Sequence, residues 1–502
     1  MTAWDKARTT PLHMASMLGK TDFVRLLIKK GTEVTAQDKS RWAPLHMASA
    51  SYKGDANLAQ FLLERGTDPT VQNKDRSTPL HEASKSGSLD IARLLVEQGV
   101  DVTARDKDKS TPLHALSWVS LSGSVDLARS LVERGADVTA WDKDRSTPLY
   151  KALKGGSVDL TRFLVEHGAD ASALDKNMST PLHQVSALNR GSVDLAQFLV
   201  EHGADMTAQD KNGSTPLHAA SASRNRSTDI ARFLIEHGAD VTAQDKNGST
   251  PLHAASASDN RTVDLAQILV EYGADVTAQD KDKSTLLHLV SACWLGSVGC
   301  VGLARFLLEH GADVTAQNEH GWTPLHMVSK SSEGHVDLAQ LLIEHDANVT
   351  AQDNHRSTPL HKASRCGHLQ LVRFLVSHRA DATAQDGRAS TPLHQASSSG
   401  SVDLGKFLLK HGADAAAKDK NGSTPLHELP VSYPGAIDLA WVLVEHGADV
   451  TAQDKHGSTP LHAVSVIRYG SVGLAQFLVE HGANTMAQDN RESTLLHWVA
   501  VS

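Results

Sequence analysis

The sequence predicts an all-α solenoid in which stacked helix–turn–helix units are joined by short β-hairpin fingers, running through all 502 residues. Three observations carry this. First, the stretch Thr-Pro-Leu-His stands at Thr10 and returns intact from Thr78, Thr111, Thr180, Thr215, Thr250, Thr323, Thr358, Thr391, Thr424 and Thr459, with near-copies from Ala43, Thr147, Thr285 and Thr494. Neighbouring starts are 33 to 38 residues apart, and a fixed period in this range marks a repeat array. Second, length varies in one place only. The motif histidine is 11 residues from the small residue of the following helix at His81–Ala92, 13 at His183–Ala196, 14 at His114–Ala128 and 16 at His288–Ala304. From that small residue to the next motif the count stays at 19, so the second helix and finger keep register while the inter-helix loop is free. Third, hydrophobic residues make up 40% and aromatics 4% of the chain. Small stacked helices use Ala and Leu rather than large rings, whereas one globular core does not usually grow to this length.

The unit from Thr78 to Ser110 illustrates each element. Thr78 is an N-cap, and Pro79 at the first helical position gives up an amide hydrogen that had no partner anyway. A short helix through Ser84 breaks at Ser86-Gly87-Ser88. Ser88 can cap the second helix, and Asp90 in its first turn suits the helix dipole. That helix, Leu89 to Gln98, is apolar over a broad face, which needs neighbours on several sides. Gly99 ends it. Residues 100–106 leave in an extended form, and Asp106-Lys107-Asp108-Lys109 turns back to Thr111. Such a unit cannot bury its apolar faces alone, and stacked copies bury one another's. The small residues Ala59, Ala92, Ala128, Ala196, Ala231, Ala266, Ala304 and Ala339 let helices of adjacent repeats approach closely.

Thr-Pro-Leu-His-x-Ala, a helix ending in Gly-Ala-Asp and a turn such as Asp-Lys-Asn-Gly-Ser resemble the ankyrin repeat across essentially the whole chain. The resemblance implies a curved stack whose first helices line a concave face, with fingers along one edge, in a family that mostly binds other proteins there. One departure is the finger slot where the family commonly carries an asparagine that can be hydroxylated. Here it holds Thr35, Thr103 or Thr242, for example.

The domain organisation expected is one continuous array, residues 1–502, with repeats starting near 10, 43, 78, 111, 147, 180, 215, 250, 285, 323, 358, 391, 424 and 459 and a partial one at 494. The unit from Thr424 is the weak one. Pro430 falls within its first helix and Pro434 follows, so a shortened helix is expected. The ends read as those of a partial product or excised array, since neither is a polar capping repeat.

The formal charge is −9 with histidine neutral. Residues 1–150 carry 21 Lys+Arg against 19 Asp+Glu, and the remainder 28 against 39. This argues against nucleic acid and anionic membranes as partners. No apolar signal core or membrane-length run is present, and an intracellular, cytoplasmic location follows, with the nucleus as an alternative. Cys293, Cys300 and Cys366 read as free thiols. Fourteen of the 28 histidines occupy the motif slot. Equivalent histidines in successive repeats stand about 10 Å apart, too far to share one metal ion, so they are read as structural. The expectation is therefore no catalytic residue, no metal and no cofactor.

Candidate contact residues come from the position after the motif histidine, which varies inside a constant frame and so reads as solvent-facing: Met14, Met47, Glu82, Lys151, Gln184, Leu289, Met327, Lys362, Gln395 and Glu428 among others. Trp118 and Trp294 lie in the longer inter-helix loops. Trp441 stands where other second helices have Gln60, Arg93 or Gln197. Aromatic and long polar side chains are common interface anchors. The function expected is a non-catalytic, monomeric scaffold that binds other proteins. The alternative is a sensory or structural segment of a larger protein whose effector domain, such as an NTPase, lies elsewhere.

Overall fold

The computed structural model describes residues 5–51, 54–117, 123–188, 193–223, 228–257, 263–292, 298–430, 435–465 and 472–494. These form twenty-seven α-helices and one 3-10 turn, in two compact units, Met1–Lys246 and Asn247–Ser502. Within each unit a short first helix, such as Pro79–Ser86, is followed by a second helix such as Leu89–Glu97. First helices pack on the first helices of neighbouring repeats and second helices on second helices, giving two layers.

The motif builds the start of the first helix and also fastens it to the next repeat. Thr78 is extended, with φ −96° and ψ 165°, and its hydroxyl accepts from the His81 N–H at 3.4 Å. The His81 Nδ1 in turn takes the Thr78 N–H at 3.3 Å and the Thr78 hydroxyl at 2.8 Å. A ring nitrogen that accepts leaves the proton on the other one, so Nε2 donates to the Ser110 carbonyl, 3.0 Å away, at the door of the next repeat. The same Nε2-to-carbonyl bond runs from His13, His46, His114, His183, His288, His326, His361, His394, His427 and His462, at 2.8 to 3.3 Å. Spacing marks these histidines as structural but does not reveal this crossing bond.

Leu80, Ala83, Ile91, Ala92 and Leu95 are buried to within 1% exposure. Each of the eight small residues of the second helix named above is equally enclosed. Gly405 stands in that slot of its own repeat, and a Cβ there would overlap Leu439 of the following one.

The fingers differ from the expected β-hairpins. Among the described residues there is no strand, only an isolated bridge between Gln279 and Thr285. The fingers are turns closed by an aspartate side chain or, at Asn73 and Asn318, by an asparagine side-chain oxygen. Asp106 Oδ1 accepts from the Asp108 and Ser110 N–H groups at 2.9 and 2.8 Å, and the Asp106 N–H donates to the Ser110 carbonyl. The carboxylate takes the donors that a strand ladder would have used, so no ladder extends. Neighbouring fingers are tied by one backbone bond each, as from Lys107 N to the Asp75 carbonyl.

The first helix of the weak repeat is reduced to the 3-10 turn Pro425–Glu428 ahead of Pro430, as expected, whereas Pro434 lies outside the described residues. Ser88 makes no cap bond to its own helix; its hydroxyl donates to the Ser51 carbonyl of the preceding repeat. Cys366 is a free thiol, but Cys300, buried at 2% exposure, is disulfide-bonded rather than free. Cys293 lies outside the described residues.

Candidate protein-binding surfaces

The varying column lies on the first helices, and much of it folds back on its own finger. Lys151 Nζ is 2.8 Å from Asp142 Oδ2, and Lys362 Nζ is 2.8 Å from Asp353 Oδ2. The Ser77 hydroxyl donates to Glu82 Oε1 at 2.6 Å, and Gln395 Nε2 donates to the Ser390 hydroxyl at 3.1 Å. One carboxylate oxygen of the finger aspartate thus closes the turn while the other holds the column lysine. This contact half-buries the column rather than leaving it wholly solvent-facing. Glu82 is only 9% exposed; Met47, Lys151, Gln184, Leu289, Met327, Lys362 and Gln395 are intermediate; Met14, at 46%, and Glu428 are exposed.

Lys362, Gln395 and Glu428 come together. In the second unit they line one polar groove of about 730 Å³, with Arg365, Arg388 and Ser398 also on its walls. Arg365 reaches the Gln395 side-chain oxygen at 3.4 Å, and the Ser398 hydroxyl reaches Glu428 Oε2 at 3.5 Å. Three successive repeats therefore contribute one column residue each to a continuous surface, linked by polar contacts between them.

Next to this groove, Trp322 forms a polar–aromatic cluster. Its indole Nε1 donates to Asp353 Oδ2 at 3.0 Å, and its ring lies 4.1 Å from Lys330 Nζ and 5.3 Å from Lys362 Nζ. Burial pushes the Asp353 carboxyl up. The Lys362 hydrogen bond and the backbone N–H groups of Ser357 and His355 outweigh it and hold the group below the usual carboxylate value. Asp353 is therefore charged at neutral pH and fixes the column lysine in place.

Trp441 is 51% exposed, on the second-helix surface and away from the first-helix column. Trp118 and Trp294 lie outside the described residues. Sequence reasoning missed Trp141, which is 54% exposed on a finger of the first unit. It lines a groove of about 630 Å³ with Arg105, Arg145 and Leu174; Arg145 lies over its ring at 5.1 Å, and Arg105 donates to its carbonyl at 3.1 Å. A signal was available. Most fingers carry glutamine just before the turn aspartate, as at Gln37, Gln209 and Gln244, whereas Arg105, Trp141 and Leu174 break that constancy in three consecutive repeats.

Among the described residues no group of three or more His, Cys, Asp and Glu could hold a metal ion, and no helix is long and apolar enough to cross a membrane. The second-helix histidines make local bonds, as where His167 Nδ1 donates to the Phe163 carbonyl at 2.8 Å and its ring stacks on Phe163 at 4.0 Å.

Comparison with protein families agrees with this architecture. The family described as "Ankyrin repeats (3 copies)" matches residues 2–73, 47–142, 116–210, 185–280, 287–386 and 378–454, and "Ankyrin repeat" matches 456–490. No curated protein matches the chain at a significant level. Ankyrin repeats are in general protein–protein interaction modules. The chain belongs to the ankyrin-repeat family.

Proposed function

We propose that this chain is a non-catalytic scaffold that binds a partner protein across the first-helix face, with the groove around Lys362, Gln395 and Glu428 as a principal contact. The observation that carries the reading is that groove. A column that varies inside a constant frame is there assembled, from three consecutive repeats, into one connected polar surface. The backbone beneath it is held by the histidine and finger bonds, so its side chains can differ without cost to the frame. Contacts distributed over a rigid surface lose little conformational entropy on binding and add up to useful affinity. The same reading takes the repeats as one continuous array over residues 1–502, monomeric and intracellular, and assigns no part to nucleic acid, a cofactor or a metal.

The test is affinity capture with mass spectrometry from cells that produce the chain. The native protein is compared with a Lys362→Ala, Gln395→Ala, Glu428→Ala variant. The expected result is a partner retained by the first and depleted at least about 10-fold by the second, a free-energy change well within reach of three interface residues. Equal capture by both would remove the groove from the reading.

A further inference from the structure

The finger tips of the first unit carry a feature that the groove does not explain. The first five tips read Lys6-Ala7-Arg8, Lys39-Ser40-Arg41, Lys74-Asp75-Arg76, Lys107-Asp108-Lys109 and Lys143-Asp144-Arg145. All ten cations are exposed. The next two tips, Lys176-Asn177-Met178 and Lys211-Asn212-Gly213, lose the second cation.

The backbone puts these tips in register. The N–H groups of Lys39, Lys74, Lys107 and Lys143 donate to the carbonyls of Ala7, Ser40, Asp75 and Asp108 of the preceding tip, at 2.6 to 2.9 Å. The second cation of each tip sits where the chain needs a left-handed conformation. Arg8, Arg41, Arg76, Lys109 and Arg145 have φ between 58° and 61°. At the equivalent place elsewhere stand Gly213, Gly248, Gly321, Gly422 and Gly457, with φ between 73° and 80°, and Met178, Lys283, Arg356, Ala389 and Glu492, with φ between 56° and 60°. Any residue can stand at this left-handed place, glycine with least strain, yet in five consecutive repeats it is a cation, which adds a second row of charge beside the tip lysines.

We infer that this row of tips is a docking ridge for an extended acidic segment of a partner protein. Its ten cations face only three tip carboxylates, and Asp75, Asp108 and Asp144 are occupied by Lys107, Lys143 and Lys176 at 3.9, 2.7 and 2.9 Å. The turn aspartates at the finger bases use their carboxylates on backbone N–H groups, as Asp38 and Asp106 do.

Spacing favours a peptide over nucleic acid. Repeats stack at about 10 Å, and an extended chain rises about 3.3 Å per residue. Every third residue of an acidic peptide therefore meets a new tip, so about thirteen residues span the row. A DNA duplex brings a negative charge about every 1.7 Å of its axis, which sets surplus negative charge against the tip carboxylates. At the far end of the row Trp141 and Leu174 offer an apolar stop to such a segment, with Arg145 over the Trp141 ring. This inference rests on the protein-binding reading and adds the class of partner segment it takes.

The experiment uses the full chain and a fluorescein-labelled peptide of about thirteen residues with Glu at every third position and Gly between, read by fluorescence anisotropy at low and at physiological ionic strength. The test variant is Arg8→Gly, Arg41→Gly, Arg76→Gly, Lys109→Gly, Arg145→Gly. Glycine suits those five backbone positions, so the variant keeps its fold, and circular dichroism verifies it. Lys283→Gly with Arg356→Gly makes the same backbone change in the second unit. The ridge predicts salt-sensitive binding of the Glu peptide, at least about 10-fold weaker for the five-glycine variant, unchanged for the control variant and absent for the matching Gln peptide.

Equal binding by native and five-glycine chains, or no binding of the Glu peptide at low ionic strength, would overturn the ridge. Tighter binding of single-stranded DNA of equal charge, or of phosphatidylserine vesicles, would overturn the acidic-protein assignment. Running the partner capture described above on the same variants separates the two ideas. Partner capture by a native chain that binds no Glu peptide at low ionic strength removes the ridge alone. Peptide binding by a chain that captures no protein removes the groove alone.

Discussion

Two consecutive repeats of the second unit share a motif and differ in almost all that follows it. The repeat from Thr391 has a first helix of eight residues, Pro392–Ser399, ended by Gly400 at φ 72°. The next one, from Thr424, has only the four-residue turn Pro425–Glu428 before Leu429 turns extended ahead of Pro430. Yet His394 and His427 both take their own threonine N–H, and both reach the following repeat's doorway carbonyl at 3.1 Å, Ser423 and Ser458 respectively. The finger bonds continue as well, from Lys420 to Arg388 and from Lys455 to Asn421. The first helix can therefore shrink by half without loss of register. Repeat-to-repeat register comes from the histidine and the finger, and the length of the first helix is free to serve the binding face.

Acid should break the shared part of both repeats, with the largest effect. Burial lowers the motif histidines' proton affinity, with His46, His114 and His326 brought down to about 4. His394 and His427 are lowered for the same reason. A histidine that resists protonation in the fold leaves stability complete above its unfolded value near 6.5, and the loss grows as pH falls toward about 4, because the unfolded chain takes up protons the native chain refuses. The loss is on the order of 3 kcal/mol for each of the three histidines brought to about 4. Thermal unfolding monitored from pH 7 to pH 4 should show a steep fall with net proton uptake. A flat profile would mean the crossing bonds do not form with neutral rings.

Mutation should separate the two repeats. His394→Ala removes a buried ring, its crossing bond and its cap, and should cost about 3 kcal/mol. His427 is more exposed, and His427→Ala should cost about 1 kcal/mol. Urea unfolding followed by circular dichroism checks the order, and equal losses would mean the shortened helix does not loosen the site. Hydrogen exchange gives a finer view: amides at 426–429 should exchange about 100-fold faster than those at 393–397. Replacing Pro430 with Ala should lengthen the short turn and stabilise the chain by at most about 1 kcal/mol, since the helix already ends before the proline. The smallest expected gain is Arg76→Gly, where relief of a left-handed side chain is partly offset by glycine's unfolded-state entropy, leaving about 0.5 kcal/mol, visible as a small rise in Tm.

Most of this frame was legible in the sequence. The Thr cap, the proline at the first helical position, the small residue of the second helix and the break at Pro430 are local rules, and each repeat restated them. What stayed hidden depends on contact between repeats or between helix and finger. The crossing bond of His81 ends 29 residues away, at a carbonyl that no side-chain pattern marks. Variability marks Lys362, but its pairing with Asp353 needs the finger folded beside the helix. The fingers were expected as strands because their extended residues flank a turn. The aspartate carboxylate competes for the same N–H groups, a contest that composition does not decide. Trp141 lies off the first-helix column, on a finger, and its only mark in the sequence is the break in the glutamine pattern.

Site-directed photo-crosslinking tests the central claim, that the first-helix face is the working surface, most directly. A benzoylphenylalanine at Gln395, on the groove, is compared with one at Lys406, exposed on the second helix of the same repeat, in cells that produce the chain. The account predicts a discrete protein adduct from position 395 and none from position 406. Adducts of equal yield from both, or from position 406 alone, would contradict it.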